Sequence, residues 1–175
     1  VVGFLATTKL DVRFVGRAAH AGGEPERGAN ALLAACTAAL GLHAIAPHSG
    51  GPLRVNVGTL VAGEGRNVVA ANALMRAEVR GADNRVLQYA TERAHSVVEG
   101  AARMYDTTVD VTVAGEAPRA DSDDALAALV TTAGPRTRIR EMKQHAQMRG
   151  SDDACWLMQE VQRRGGLATY ILVGN

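Results

Sequence analysis

Four stretches of this sequence alternate apolar and polar residues, with two helical stripes set between them, and that order leaves few folds open. Leu10, Val12 and Phe14 alternate with Asp11 and Arg13, and Leu53, Val55 and Val57 with Arg54 and Asn56. Ala73, Met75, Ala77 and Val79 face away from Arg76, Glu78 and Arg80, and Val109, Val111 and Val113 from Asp110 and Thr112. A period of two marks strands with one face in a core and the other in water. From Asn30 to about Ile45 apolar residues recur at helical spacing, Leu33, Cys36 and Leu40 in one row and Leu32, Ala35 and Ala39 in the next. Asp83 or Asn84 caps a second helix, whose stripe is Val86, Ala90, Val97, Ala101 and Met104. The order β-α-β-β-α-β predicts a ferredoxin-like α+β domain, a four-stranded antiparallel sheet with two helices on one face. Its uncovered face is left to charged and amide groups.

After Gly115 the character changes. Glu116 to Ser122 is a polar, proline-containing crossing, and Asp123 to Thr132 reads as a short helix. Gly150-Ser-Asp-Asp153 opens another helix, to about Arg164, with Ser151 as cap and acids in the first turn. Leu167 to Val173 reads as a fully apolar strand, which belongs in a sheet covered on both faces. One such strand in so short a stretch cannot build that sheet. The expected division is therefore residues 1–117 as a complete sheet-and-helix domain and 118–175 as an incomplete segment of a larger α/β domain.

Composition narrows the function. A net charge of +1 gives no general attraction to nucleic acid or to a membrane surface. Aromatic residues make up only 3%, and the open sheet face offers no stacking ring, which sets RNA recognition aside. No apolar run is long enough to span a bilayer, and Val1 to Leu10 lacks the basic start of a signal peptide. Cys36 and Cys155 stand far apart without a Cys-x-x-Cys motif, as free thiols in a reducing cytoplasm would. The stretch 136–149 carries six basic groups, His145 included, against the single acid Glu141; its plainest reading is a solvated face.

The residues that invite chemistry are few. Between Gly16 and Ala31 a strand runs into a turn of small residues with His20 at its tip, followed by Pro25-Glu26 and a helix. Ala and Gly around an imidazole allow close approach to it. The plainer reading, a helix-entry turn with an incidental histidine, stays open at this point. Asn67 and Arg80 offer an amide and a planar guanidinium, a grip suited to a carboxylate, although each is also ordinary on an exposed sheet face. The five histidines form no His-x-x-x-His pair and no His-x-Asp or Glu-Glu accompanies them, so a self-contained zinc site is not expected. Ser151 is in no nucleophile elbow, and Gly63-x-Gly65 is no phosphate loop.

Several ordered motifs together carry a family likeness: Gly16-x-x-Ala-His20-Ala-Gly-Gly-x-Pro25-Glu-x-Gly28-x-Asn30, Arg54-Val-Asn-Val-Gly58, Gly65-Arg-Asn67-Val-Val, Arg80-Gly, Gly150-Ser-Asp-Asp-Ala154 and Val161-Gln-x-Arg-Gly-Gly-Leu-Ala168. Across almost the whole chain the sequence resembles the M20 metallopeptidase/amidohydrolase family. The resemblance implies a catalytic α/β domain holding two divalent metal ions, zinc or manganese, interrupted by a lid that also mediates dimerisation. Residues 1 to about 117 match the lid and the remainder the return into the catalytic domain. By the same resemblance His20 reaches across the dimer to polarise the scissile carbonyl, and Asn67 and Arg80 contact the substrate carbonyl or carboxylate. Gly150 and Ser151 line the substrate pocket. Ala70 stands where the family usually has proline, and the family's metal ligands have no counterparts in this stretch. The implied activity is hydrolysis of the amide in N-acyl or N-aroyl amino acids, p-aminobenzoyl-glutamate first among them, by a cytoplasmic homodimer that a second hydrolase subunit could join. The chain by itself is expected to be inactive, since the metals would lie outside it. The rival expectation is a non-catalytic dimerisation or amino-acid-binding module of the same topology.

Overall fold

All four alternating stretches become strands of ten residues: β1 (Ala6–Val15), β2 (Leu53–Ala62), β3 (Asn72–Gly81) and β4 (Thr108–Ala117). The structure is a computed structural model that describes residues 1–136, 143 and 145–173. The strands form one antiparallel sheet in the order β2-β3-β1-β4, so β1 and β3 are central and β2 and β4 lie at the edges. Leu10, Val12 and Phe14 of β1 and Ala73, Met75, Ala77 and Val79 of β3 are buried in a single core. That core is closed by two helices, α1 (Ala31–His43) and α2 (Asn84–Met104). Each helix is capped as side-chain chemistry predicts: Asn30 accepts from the Leu33 amide at 3.1 Å and Asp83 from the Val86 amide at 2.8 Å. The register of β2 on β3 shifts between Val57 and Thr59, a bulge at Gly58 that keeps Leu60 and Ala62 on the helix side.

The inward rows of the helices differ from the expected ones. On α1 the buried residues are Ala31, Ala34, Ala35, Ala38 and Leu42, whereas Leu40 is 76% exposed and Leu33 and Cys36 also face outward. The reason is spacing. A Cβ placed at Gly41 would stand 2.8 Å from Cγ1 of Val97 on α2, so the two helices meet too closely for leucine at the contact. On α2, Val86, Ala90 and Ala101 are buried as the stripe predicts, joined by Ala94, Val98 and Ala102, while Met104 turns out to solvent.

Beyond β4 lie α3 (Asp124–Ala133) and α4 (Ala154–Arg163). A second, smaller core gathers Phe4, Ala120, Cys155, Met158 and Ala168, so residues before β1 pack with this C-terminal part. Ser151 does not cap α4. Its hydroxyl donates to the Leu5 carbonyl at 2.7 Å, and Asp152 accepts from the Ala154 amide instead. The expected apolar strand at 167–173 is not a strand: among the described residues it has no ladder partner. Side chains take its amides instead, Asp123 accepting from Ala168 at 2.8 Å and Ser122 from Tyr170 at 2.9 Å. Without neighbouring strands to cover it, the segment leaves Leu167, Ile171 and Leu172 more than half exposed. Within the basic stretch 136–149, residues 137–142 and 144 lie outside the described residues, as do Gly174 and Asn175.

Two measurements follow from this packing. Phe14→Ala removes a fully buried ring from the main core and lowers the stability of the chain by about 3–5 kcal/mol in urea denaturation, while Leu40→Ala changes it by less than about 0.5 kcal/mol. The second concerns pH. The Ala168 amide and the Gln162 side chain hold the Asp123 carboxyl below its ordinary value of 3.8. A carboxyl lowered on folding contributes stability above its unfolded value and loses that contribution as pH falls through the folded one. The Ala168 amide therefore keeps its hydrogen-exchange protection down to the ordinary carboxylate range and loses it only below, and Asp123→Asn flattens that dependence.

Candidate functional site

His20 stands on a loop fixed by backbone contacts at its base. Where β1 ends, the Gly16 amide donates to Ala71 O at 2.7 Å, and Arg17 and Ala29 exchange both of their backbone hydrogen bonds, at 3.0 and 2.9 Å. A Cβ on Gly16 would fall 2.0 Å from the Ala29 carbonyl oxygen, and one on Gly28 would fall 2.7 Å from Val69 Cγ1. Glycine is the residue that lets these strands of the loop approach. The loop is tied to the segment that leads into β3: the Ala21 amide donates to Asn67 O and the Val69 amide to Ala19 O, both at 2.9 Å, and His20 bridges to Val68. Pro25 does not open α1; it begins a single 3-10 turn, Pro25–Arg27, and α1 starts only after Asn30.

At the tip, the His20 carbonyl accepts from the amides of Gly23 and Glu24, both at 3.1 Å. Its ring Nδ1 accepts from the Gly22 amide at 3.1 Å. A ring nitrogen that accepts carries no proton, so in the neutral imidazole the proton sits on Nε2. The ring is exposed, and Nε2–H is thus a donor offered outward from a braced loop. Asn67 is also exposed, beside it.

Arg80 belongs to a different place. On β3 it lies opposite Thr7 of β1 and Arg54 of β2, near the end of the strand. Its Nε donates to Glu78 Oε1 at 2.5 Å and its Nη1 to the Arg149 carbonyl at 3.4 Å. Gly150 and Ser151 follow at once: the Leu5 amide donates to Gly150 O at 2.9 Å and Ser151 Oγ to Leu5 O. A cavity of about 450 Å³ opens here on the uncovered sheet face, lined by Leu53, Arg54, Val55, Asn56, Glu78 and Arg80. Asn67 and Arg80 are therefore not brought together within one chain. From Asn72 to Arg80 the strand rises roughly 26 Å, at about 3.3 Å per residue. The expected site residues thus fall at opposite ends of β3, His20 with Asn67 at one and Arg80 at the other, where its contact is the Arg149 carbonyl. Gly150 and Ser151 come next in the chain, bonded to Leu5, and do not line the cavity. Arg54 is absent from the site residues expected from sequence; its place across from Arg80 follows from register, which alternation alone does not give.

A larger hollow of about 660 Å³ lies at the crossing into the C-terminal part, lined among others by Asp83, Arg119, Asp121 and Asp123. Its four acids are already engaged: Asp83 with Val86, Asp121 with Arg119 and the Gly3 amide, Asp123 with Ala168 and Gln162, and Asp124 3.7 Å from His145 Nδ1. Among the described residues no group of three or more His, Cys, Asp or Glu could hold a metal ion. Cys155 is no ready nucleophile, since burial pushes its thiol up from the ordinary value. No helix among the described residues is long and apolar enough to cross a membrane.

Comparison with known proteins bears on this arrangement. The family described as the M20 peptidase dimerisation domain matches residues 6–106. The chain is 46% identical over 177 aligned residues to a subunit of the p-aminobenzoyl-glutamate hydrolase of Escherichia coli K12, covering 98% of this chain and 40% of that protein. It is likewise 46% identical, over 174 residues, to indole-3-acetyl-aspartic acid hydrolase of Enterobacter agglomerans, with the same coverage. Among solved structures, the aminobenzoyl-glutamate utilization protein of Klebsiella pneumoniae superposes with a TM-score of 0.90 at 48% identity, over 97% of this chain and 44% of that one. The chain thus spans about two fifths of the length of the curated relatives it matches.

The tightness at the base of the His20 loop can be measured. Gly16→Ala forces a methyl group into the Ala29 carbonyl and lowers thermal stability by about 1–3 kcal/mol, and it displaces the loop, read as a changed His20 ring signal in NMR.

Proposed function

Starting from a chain that belongs to the M20 peptidase family through its dimerisation domain, we propose that it is the lid and part of the catalytic domain of a metal-dependent amidohydrolase. Residues up to about 117 would form the lid and 118–175 a segment of the catalytic domain, with residues 1–5 packed on the latter. The proposed substrates are N-acyl or N-aroyl amino acids, p-aminobenzoyl-glutamate first, the compound for which the Escherichia coli relative is named. The two divalent metal ions, zinc or manganese, would be held by parts of the longer protein, since the described residues offer no ligand set. This chain alone would accordingly be inactive. The proposed setting is a cytoplasmic homodimer. That relative is named for one subunit of its hydrolase, so a second hydrolase subunit is the other proposed partner.

The observation that carries this reading is the distance between the two ends of β3. A substrate of amino-acid size cannot touch His20 and Arg80 of one copy when most of a ten-residue strand separates them. Two copies resolve the problem. Among the described residues the edge of β2 is unpaired, and beside it α1 turns Leu33, Cys36 and Leu40 outward, a surface suited to meeting its own image about a two-fold axis. A pocket would then combine Arg80, Gly150 and Ser151 of one copy with His20 and Asn67 of the other. Arg80 would take the carboxylate, with Gly150 and Ser151 forming the wall beside it. Asn67 and Nε2–H of His20 would donate to the carbonyl oxygen of the amide, most strongly as that oxygen gains charge.

In the longer protein, His20→Ala should lower kcat by on the order of 100- to 1,000-fold without loss of metal, in the range seen for a single oxyanion donor. The decisive experiment mixes two inactive variants, His20→Ala and Arg80→Ala. Half of the randomly mixed dimers carry both variants, each with one intact pocket of two, so about a quarter of wild-type activity returns. A mixture as inactive as its parts overturns the shared pocket. A wild-type protein that binds acyl amino acids without hydrolysing them would instead establish the amino-acid-binding module.

A further inference from the structure

Resting on that reading of the site, we propose that Arg54 determines substrate specificity by taking the side-chain carboxylate of a dicarboxylic amino acid, while Arg80 takes the main-chain carboxylate. Arg54 and Arg80 are direct cross-strand partners in the β2–β3 register, and both project onto the uncovered face. Side chains opposite one another in an antiparallel pair start only about 5 Å apart, and like charges in that position destabilise the sheet. Two guanidinium groups held this way call for more than one negative charge.

The surrounding residues supply only part of it. Glu78 lines the same cavity and is engaged by Arg80 Nε at 2.5 Å. Lys9, opposite Glu78 on β1, does not line the cavity, whose wall therefore holds two cations, Arg54 and Arg80, and one anion. Arg80 is oriented by two contacts, to Glu78 and to the Arg149 carbonyl, and is half-buried. Arg54 is exposed, and among the described residues its side chain has neither an ion pair nor a hydrogen bond. Asn56 adds a neutral amide to the same wall. A cavity of about 450 Å³ is ample for an amino-acid moiety with two carboxylates. Two carboxylates a few bonds apart would place one charge on each guanidinium. A monocarboxylic amino acid would leave Arg54 uncompensated.

The test uses the full-length protein and two readouts. The first is the ratio of kcat/KM for an N-acyl-glutamate to that for the matching N-acyl-alanine. Arg54→Ala should lower this ratio on the order of ten- to a hundredfold, as loss of a charged hydrogen-bonded contact does, and Arg54→Lys should recover part of it. A variant that merely disturbs folding scales both substrates alike and leaves the ratio in place. The second readout is calorimetric binding of glutarate against butyrate, which needs no turnover. Arg54→Ala should bring the affinity for glutarate down toward that for butyrate. If neither substrate is hydrolysed yet glutarate binding still depends on Arg54, the amidohydrolase reading fails and the role of Arg54 stands. If hydrolysis proceeds while both the ratio and glutarate affinity are unmoved by Arg54→Ala, the role of Arg54 is overturned and the hydrolase reading stands.

Discussion

The ladder between β1 and β3 is the constraint on which the rest of the molecule depends. Its ten residue pairs run without a break from Ala6 opposite Gly81 to Val15 opposite Asn72. A twisted pair of central strands, bonded also to β2 and β4, cannot be shortened or slipped by one residue without exchanging its buried and exposed faces. It therefore acts as a ruler. One end holds the loop of His20 against the segment of Asn67, and the other brings Arg80 to the Arg149 carbonyl, just before the Gly150-Ser151 turn. What the two ends can do chemically is fixed by the length between them.

Each end is also braced by contacts that do not belong to the ladder. At the His20 end, backbone hydrogen bonds from Arg17, Ala21, Ala29 and Val69 close the loop, and two glycines allow the approach that these bonds require. The Gly22 amide then selects which imidazole nitrogen keeps its proton. At the Arg80 end, Leu5 is bonded through both its amide and its carbonyl to the Gly150-Ser151 turn. Arg119 adds a clasp at the crossing, donating to the Ala82 carbonyl and to Asp121, whose other oxygen accepts from the Gly3 amide. The passages into and out of the sheet domain are thus held together by one guanidinium and one carboxylate.

Much of this was legible in the sequence, for a physical reason. A strand with one wet face writes its burial into every second residue, so β1, β2, β3 and β4 could be read from Leu10, Leu53, Ala73 and Val109 onward. Caps are equally local, and Asp83, one of the two residues expected to cap α2, does so. The likeness of the motifs around His20, Asn67 and Arg80 reached the family that the dimerisation-domain match establishes. Long-range geometry was not legible. Arg54 faces Arg80 only through register, and Asn67 is kept from Arg80 only by the course of β3. The segment 167–173 has the composition of a buried strand, but a strand needs neighbours that its own residues cannot supply. Ser151 looked like a helix cap because capping is a local rule, and a tertiary partner, the Leu5 carbonyl, took its hydroxyl instead.

The row on α1 shows how packing can pass into assembly. Helical periodicity makes Leu33, Cys36 and Leu40 as credible a core face as the alanines beside them, and composition favours the leucines. Distance decides otherwise. With Val97 of α2 within 2.8 Å of where a side chain at Gly41 would begin, the helices leave little room at that contact, and the core takes Ala31, Ala34, Ala35 and Ala38, with Leu42 at the end of the row. The larger apolar groups are then left on the outside, on the side of the sheet where β2 is the edge strand. A close interior contact and an apolar exterior are consequently one arrangement. Enlarging the alanines would push α1 off the sheet and move the outer row with it, so the inner packing also sets the surface that a second copy would meet.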